Sequence, residues 1–262
     1  MSNWIDLSYE TATPGWSDYI KALGYEGAVQ CSLAWPGRPY GMLNANGNLK
    51  TLRKSGLLTA TYMAFGAGAG VEEQFRLARE AAGDEWEHCL WHAVDIEVYL
   101  PDPIASIQKI LELVTQSPGY PIVYASAATW ARYADGTDAF GHIPLWGAYW
   151  DGDPDFDYTL NPFGGFQRVV GEQFDHDISV MDKKIDVNKF DAQFIKERLE
   201  AQDMSMTNEE FVRMLKDNWQ TTNEIIEAFL RNAVGDLRTR LTDLEETNRK
   251  LREALSKEPE IK

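Results

Sequence analysis

The strongest constraint in this sequence is a rhythm of alternating local patterns. Apolar stretches with strand character at 4–9, 24–35, 57–66, 91–100 and 121–126 are each followed by helical spacing, at 17–23, 49–56, 72–82, 105–116 and 127–133. Strand, helix and strand in regular succession imply parallel strands joined by right-handed crossovers. After residue 133 the pattern changes. PLWGAYW (144–150), GGFQRVV (164–170) and IDVNKF (185–190) read as strands with no helical pattern between them, and FDHDIS (174–179) reads as a solvated loop. Eight strands in about 190 residues fall short of the roughly 250 that a complete (β/α)8 barrel takes. The expected fold is therefore α/β: an irregular TIM-like barrel with some helices missing, over residues 1–198.

Punctuation supports that division. Thr13, Pro14 and Gly15 form a turn signal, and the Pro-, Gly- and Asn-rich stretch 36–48 reads as a loop. Gly56 and Gly83 close helical patterns, GAGAG follows the third strand, and Pro101 ends the fourth.

That fourth strand, WHAVDIEVYL, carries Asp95 and Glu97 one residue apart. Residues i and i+2 of a strand share a face, so both acids address one space. Crowded carboxylates acquire separated proton affinities suited to acid–base work. In barrels of parallel strands, reactive groups gather at the C-terminal strand ends. Asp6, Asp95, Glu97, Tyr62, Tyr124 and Tyr149 all fall near such ends. The bland alternative is that these acids form buried ion pairs, yet neither acid-bearing strand contains a Lys or Arg.

Charge narrows the partners. The net charge is −16, and residues 1–198 hold 27 acidic against 15 basic groups. An acidic domain without a basic stripe argues against nucleic acid. No apolar run is long enough for a membrane span, and MSNWIDLSYE lacks the basic flank and apolar core of a secretory leader. Synthesis in the cytoplasm is the expectation. Cys31 and Cys89 sit in apolar runs and read as reduced core residues. The four histidines form no metal-binding spacing, so neither metal nor cofactor is expected. Nine Trp and eleven Tyr suit stacking on neutral rings such as sugars.

Residues 199–262 differ in kind. Thr207 and Glu210 form a capping-box signature that opens a long helical pattern. Leu237, Leu244 and Leu251 fall at d positions, and Val234, Leu241, Asn248 and Leu255 at a positions, of three heptads. One Asn at a with Leu at d favours a parallel dimer, so residues 234–256 are expected to form a coiled coil that makes a homodimer or a higher homo-oligomer. The alternative is a single amphipathic helix packed on the barrel.

Several motifs occur in a telling order: WIDLS, VDIE, PIVYAS, PLWGAYW, GFQ and IDVNKF. Together they resemble the glycoside hydrolase family 25 lysozymes, muramidases common in bacteriophage and bacteria, over roughly residues 3–191. The resemblance implies a (β/α)5β3 barrel and cleavage of the β-1,4 bond between N-acetylmuramic acid and N-acetylglucosamine in peptidoglycan. It places the general acid on Glu97, with Asp95 steadying the acetamido group or the developing positive charge. Asp6 and Asp186 match the first- and last-strand carboxylates of the same pocket. Tyr62, Tyr124, Trp146, Tyr149 and Gln167 are the candidate sugar contacts, with Trp35 and Trp150 behind them. The sequence departs from the family pattern at Gln30-Cys31-Ser32, at Tyr62-Met63-Ala64-Phe65 and at Phe166-Gln167-Arg168. The leading expectation is a phage lysin, made dimeric by its tail and acting on the cell wall after release. The rival is a lysozyme-like, glycan-recognising head assembled through that tail.

Overall fold

The computed structural model describes residues 1–34, 44–66, 69–117, 119–153, 156 and 162–205. Eight strands close into a barrel in sequence order. They are β1 (Ser2–Leu7), β2 (Gly27–Leu33), β3 (Leu58–Ala64), β4 (His92–Asp95), β5 (Pro121–Ala125), β6 (Leu145–Ala148), β7 (Val169–Val180) and β8 (Lys183–Phe190). Helices α1 (Pro14–Ala22), α2 (Ala45–Lys54), α3 (Val71–Ala82), α4 (Pro103–Gln116) and α5 (Ala127–Tyr133) follow the first five strands in turn. A sixth helix, α6 (Ala192–Ser205), follows β8. Strands β1 to β7 pair in parallel, while β8 runs antiparallel to both β7 and β1 and closes the ring. This is the (β/α)5β3 arrangement.

The helices form because each presents an apolar stripe to the barrel. Helix α2 buries Ala45, Asn48, Leu49 and Leu52, and α4 buries Ile107, Ile110, Leu111 and Val114. Both sets follow the i, i+3, i+4, i+7 spacing of one helix face. Ser126 and Thr129 form a reciprocal capping box that starts α5 directly after β5.

Period-2 alternation sorts the strands into two faces. On β1, Ile5 and Leu7 turn outward onto Trp16 and Ile20 of α1, whereas Trp4 packs inward. On β4, Val94 turns outward and Trp91 and Ala93 inward. Trp4, Trp91 and Phe190 meet inside the barrel with ring centroids 4.7–5.4 Å apart. This aromatic plug fills the lower interior and leaves the upper interior to the ends of the strands.

Four local expectations need correction. The fourth strand is His92–Asp95 rather than 91–100, so Glu97 lies two residues beyond its end. Pro14 begins α1 instead of marking a turn, because its missing N–H costs nothing in a first helical turn. Helix α2 starts at Ala45, inside the stretch read as loop. The seventh strand is Val169–Val180, not 164–170, so FDHDIS is strand and not loop. Its outer half forms a hairpin with β8 and is partly solvated, which hid its alternation beneath acidic residues.

Helix α6 crosses the boundary placed at 198, and the first compact unit spans Met1–Asp203. The expected coiled coil at 234–256, and Trp35, lie outside the described residues.

Candidate active site

The inner-face residues at the upper end of the barrel enclose a cavity of about 460 Å3. All four carboxylates expected at the site line it: Asp6 from β1, Asp95 and Glu97 from β4 and the residues after it, and Asp186 from β8. Alternation explains the convergence. Trp4 and Asp6 share the inner face of β1, as do Asp186, Asn188 and Phe190 on β8. The antiparallel β1–β8 register sets Asp6 directly opposite Asp186. Glu97 keeps to the inward side although the ladder has ended, so the i, i+2 reading of the pair holds while the strand does not.

Asp6 and Asp95 are almost wholly buried, at 4% and 3% exposure. Among the described residues none of the four acids forms an ion pair with Lys or Arg, so the buried salt-bridge alternative fails. Burial without a counter-charge raises the proton affinity of every member. Asp6 is pushed up to about 8, first by burial and then by the charge of Asp186, against the pull of amide donors from Asn188 and Gln173. Asp95 rises well above the usual carboxylate range, through burial and then Glu97 and Asp6. Its Oδ1 is buried without a hydrogen-bond partner among the described residues. Glu97 rises through burial and then the charge of Asp186. Asp186 also rises through burial, opposed by the Asp177 backbone N–H, which donates to its Oδ1 at 2.8 Å.

Three of the five expected sugar contacts line the cavity: Tyr62, Tyr124 and Trp146. Tyr124 and Trp146 pack with centroids 4.6 Å apart. Tyr62 stands 6.4 Å from Trp146, and its hydroxyl shares a 2.7 Å hydrogen bond with Ser8. The other two do not line it. Tyr149 is exposed just past the end of β6, at the opposite parity to Trp146 and Trp150, which do line the cavity. Gln167 is exposed before β7 begins, its backbone N–H donating to the Gly141 carbonyl.

The glutamine that does reach the site is Gln173, six residues further on, which donates to Asp6 Oδ2 at 2.9 Å. Its sequence signal is a second adjacent pair of glutamine and aromatic, Gln173-Phe174, at the start of the segment read as loop. Ser8, Tyr9, Cys31, Trp150 and Asp177 also line the cavity. Cys31 is thus a wall residue of the site as well as a buried thiol, and burial pushes its proton affinity up to about 12. Among the described residues no group of three or more His, Cys, Asp or Glu has an arrangement that could hold a metal ion.

Neither a family sequence model nor a curated protein matches the chain by sequence. Solved structures do match it in fold. A muramidase from Acremonium alcalophilum superposes with a TM-score of 0.60 at 16% identity, covering 78% of this chain and 100% of that one. A family GH25 lysozyme from Aspergillus fumigatus gives 0.55 at 17%, covering 76% and 97%. The catalytic domain of endolysin ply40, from bacteriophage P40 of Listeria monocytogenes, gives 0.57 at 14%, again covering 76% and 97%. The barrel therefore has the fold of the family 25 lysozymes and endolysins.

Proposed function

We propose that this barrel, which has the family 25 lysozyme fold, is a glycoside hydrolase that cuts the β-1,4 bond between N-acetylmuramic acid and N-acetylglucosamine of peptidoglycan. The observation that carries the reading is the placement around one aromatic-walled cavity of four carboxylates that form no ion pair with Lys or Arg among the described residues. The likeness to a muramidase and to endolysin catalytic domains supports it at the level of fold.

A glycosidic oxygen is a poor leaving group and needs a proton from an acid that is still protonated near neutral pH. Glu97 is shifted in the direction that requirement calls for. It lines the cavity, makes no hydrogen bond among the described residues that would restrain it, and has its proton affinity raised by burial and by Asp186. Asp95 lies deeper, and its unpartnered Oδ1 suits an N–H donor from an acetamido group. Negative charge on whichever member of the set is ionised stabilises the oxocarbenium-like transition state. Tyr62, Tyr124 and Trp146 supply ring faces and edges against which a pyranose can pack.

The test is release of reducing ends from purified peptidoglycan. Glu97→Gln is expected to lose at least about a hundredfold in turnover while keeping the wild-type circular dichroism, the scale of a lost general acid. A wild-type protein inert on walls of several chemotypes would overturn the enzyme reading in favour of a glycan-recognising head.

The heptads of 234–256 support a further part of the proposal, that the tail forms a homodimer. Two heads on one zipper raise the effective concentration of catalytic sites at a polymeric wall. The setting proposed is a phage lysin that reaches the wall after release from the cytoplasm.

A further inference from the structure

Asp6 is held by two side-chain amides whose orientation is not free. An indole N–H can only donate a hydrogen bond. Trp150 Nε1 donates to Gln173 Oε1 at 2.7 Å, and the Tyr124 hydroxyl donates to the same oxygen at 2.8 Å. Trp146 Nε1 donates to Asn188 Oδ1 at 3.0 Å. The atom facing each indole must therefore be the amide oxygen, which leaves both amide nitrogens to face Asp6. They donate to one and the same carboxylate oxygen, Oδ2, at 2.9 Å and 2.8 Å. A proton on Oδ2 would point into those N–H groups. Oδ1 meets no donor among the described residues.

We propose that Trp150–Gln173 and Trp146–Asn188 form a clamp that reserves Oδ2 of Asp6 as an acceptor, so that Asp6 exchanges its proton with the cavity through Oδ1 alone. Gln173 and Asn188 are positioning residues in this scheme. When Asp6 is protonated, it presents an O–H donor to the cavity, and Asp186 and Glu97 lose a like-charged neighbour. The titratable groups facing Asp6 are Asp186, Glu97, Asp95, Tyr62, Tyr124 and Cys31, with Tyr9 and Asp177 on the same cavity wall, and among the described residues no lysine or arginine lines the cavity. The part Asp6 plays in turnover rests on the glycosidase reading, whereas the site of its proton does not.

The experiment is a 13C-carboxylate NMR titration of the full chain labelled at Asp, with the Asp6 signal assigned by its loss in Asp6→Asn. Asp6 is expected to titrate near pH 8 in the wild type. Gln173→Met and Asn188→Leu each remove one donor to the ionised form and should raise that midpoint by about one pH unit. Trp150→Phe keeps Gln173 but frees its amide to turn, and should raise the midpoint by less. Trp150 is half exposed, so this variant decides the matter if the other two misfold. A midpoint unchanged in every folded variant overturns the clamp. The titration needs no turnover: shifts seen in a protein inert on peptidoglycan would sink the glycosidase reading and leave the clamp standing.

Discussion

Two buried ionisable groups bend the stability of the barrel in opposite directions with pH. In the folded barrel Asp6 holds its proton up to about 8, whereas an unperturbed aspartate gives it up at 3.8. Between those values the folded state binds more protons, so stability falls as pH rises. His92 is stacked on Trp86 at 3.6 Å and is lowered from 6.5 to about 3, by burial first. Its contribution is complete above pH 6.5 and is lost as pH falls toward 3. Asp6→Asn keeps an acceptor for the two amides and removes the charge. It should therefore melt above the wild type at pH 8, by on the order of 2 kcal/mol, with the gap closing toward pH 4. Calorimetry across that range checks this, and a gap that widens on acidification would contradict it. The residue types were readable in advance: a carboxylate on an apolar strand with no Lys or Arg nearby announces itself. The misplaced contacts were Tyr149 and Gln167: Tyr149 has the opposite parity to Trp146 and Trp150, which line the cavity, and Gln167 precedes the first residue of β7.

At the scale of elements, the five β–α units were legible because each helix carries a 3.6-residue stripe and each strand an apolar run. The β7–β8 hairpin was not, since a strand that projects beyond the barrel has water on its outer half and no apolar pattern to show. One close approach joins two elements through a residue without a side chain. A Cβ on Gly27 of β2 would lie 2.5 Å from ring carbons of Trp4 on β1, and Trp4 is itself fully buried in the aromatic plug. Gly27→Ala must displace that indole, an overpacking change expected to cost about 1–3 kcal/mol. Urea unfolding should show a lower midpoint at an unchanged m-value. A wild-type midpoint would mean that the plug can shift without cost.

For the molecule as a whole, the tail sets the prediction. Sedimentation equilibrium should give a dimer for the full chain, and Asn248→Val should alter assembly, because a valine at a no longer discriminates between dimer and higher states. A chain that stays monomeric at high concentration would remove the zipper. What the sequence determined by itself was periodic: the strand and helix rhythm, the missing helices after residue 133, and the i, i+2 carboxylate pair. These are local patterns, and local patterns are written in consecutive residues. The closure of the ring was decided by tertiary structure, which laid β8 antiparallel against β1 and so brought Asp186 opposite Asp6. The same closure delivered Gln173 and Asn188 to one oxygen of Asp6 from 167 and 182 residues away. Contacts at that separation depend on which edges pair, and no window of sequence contains both partners.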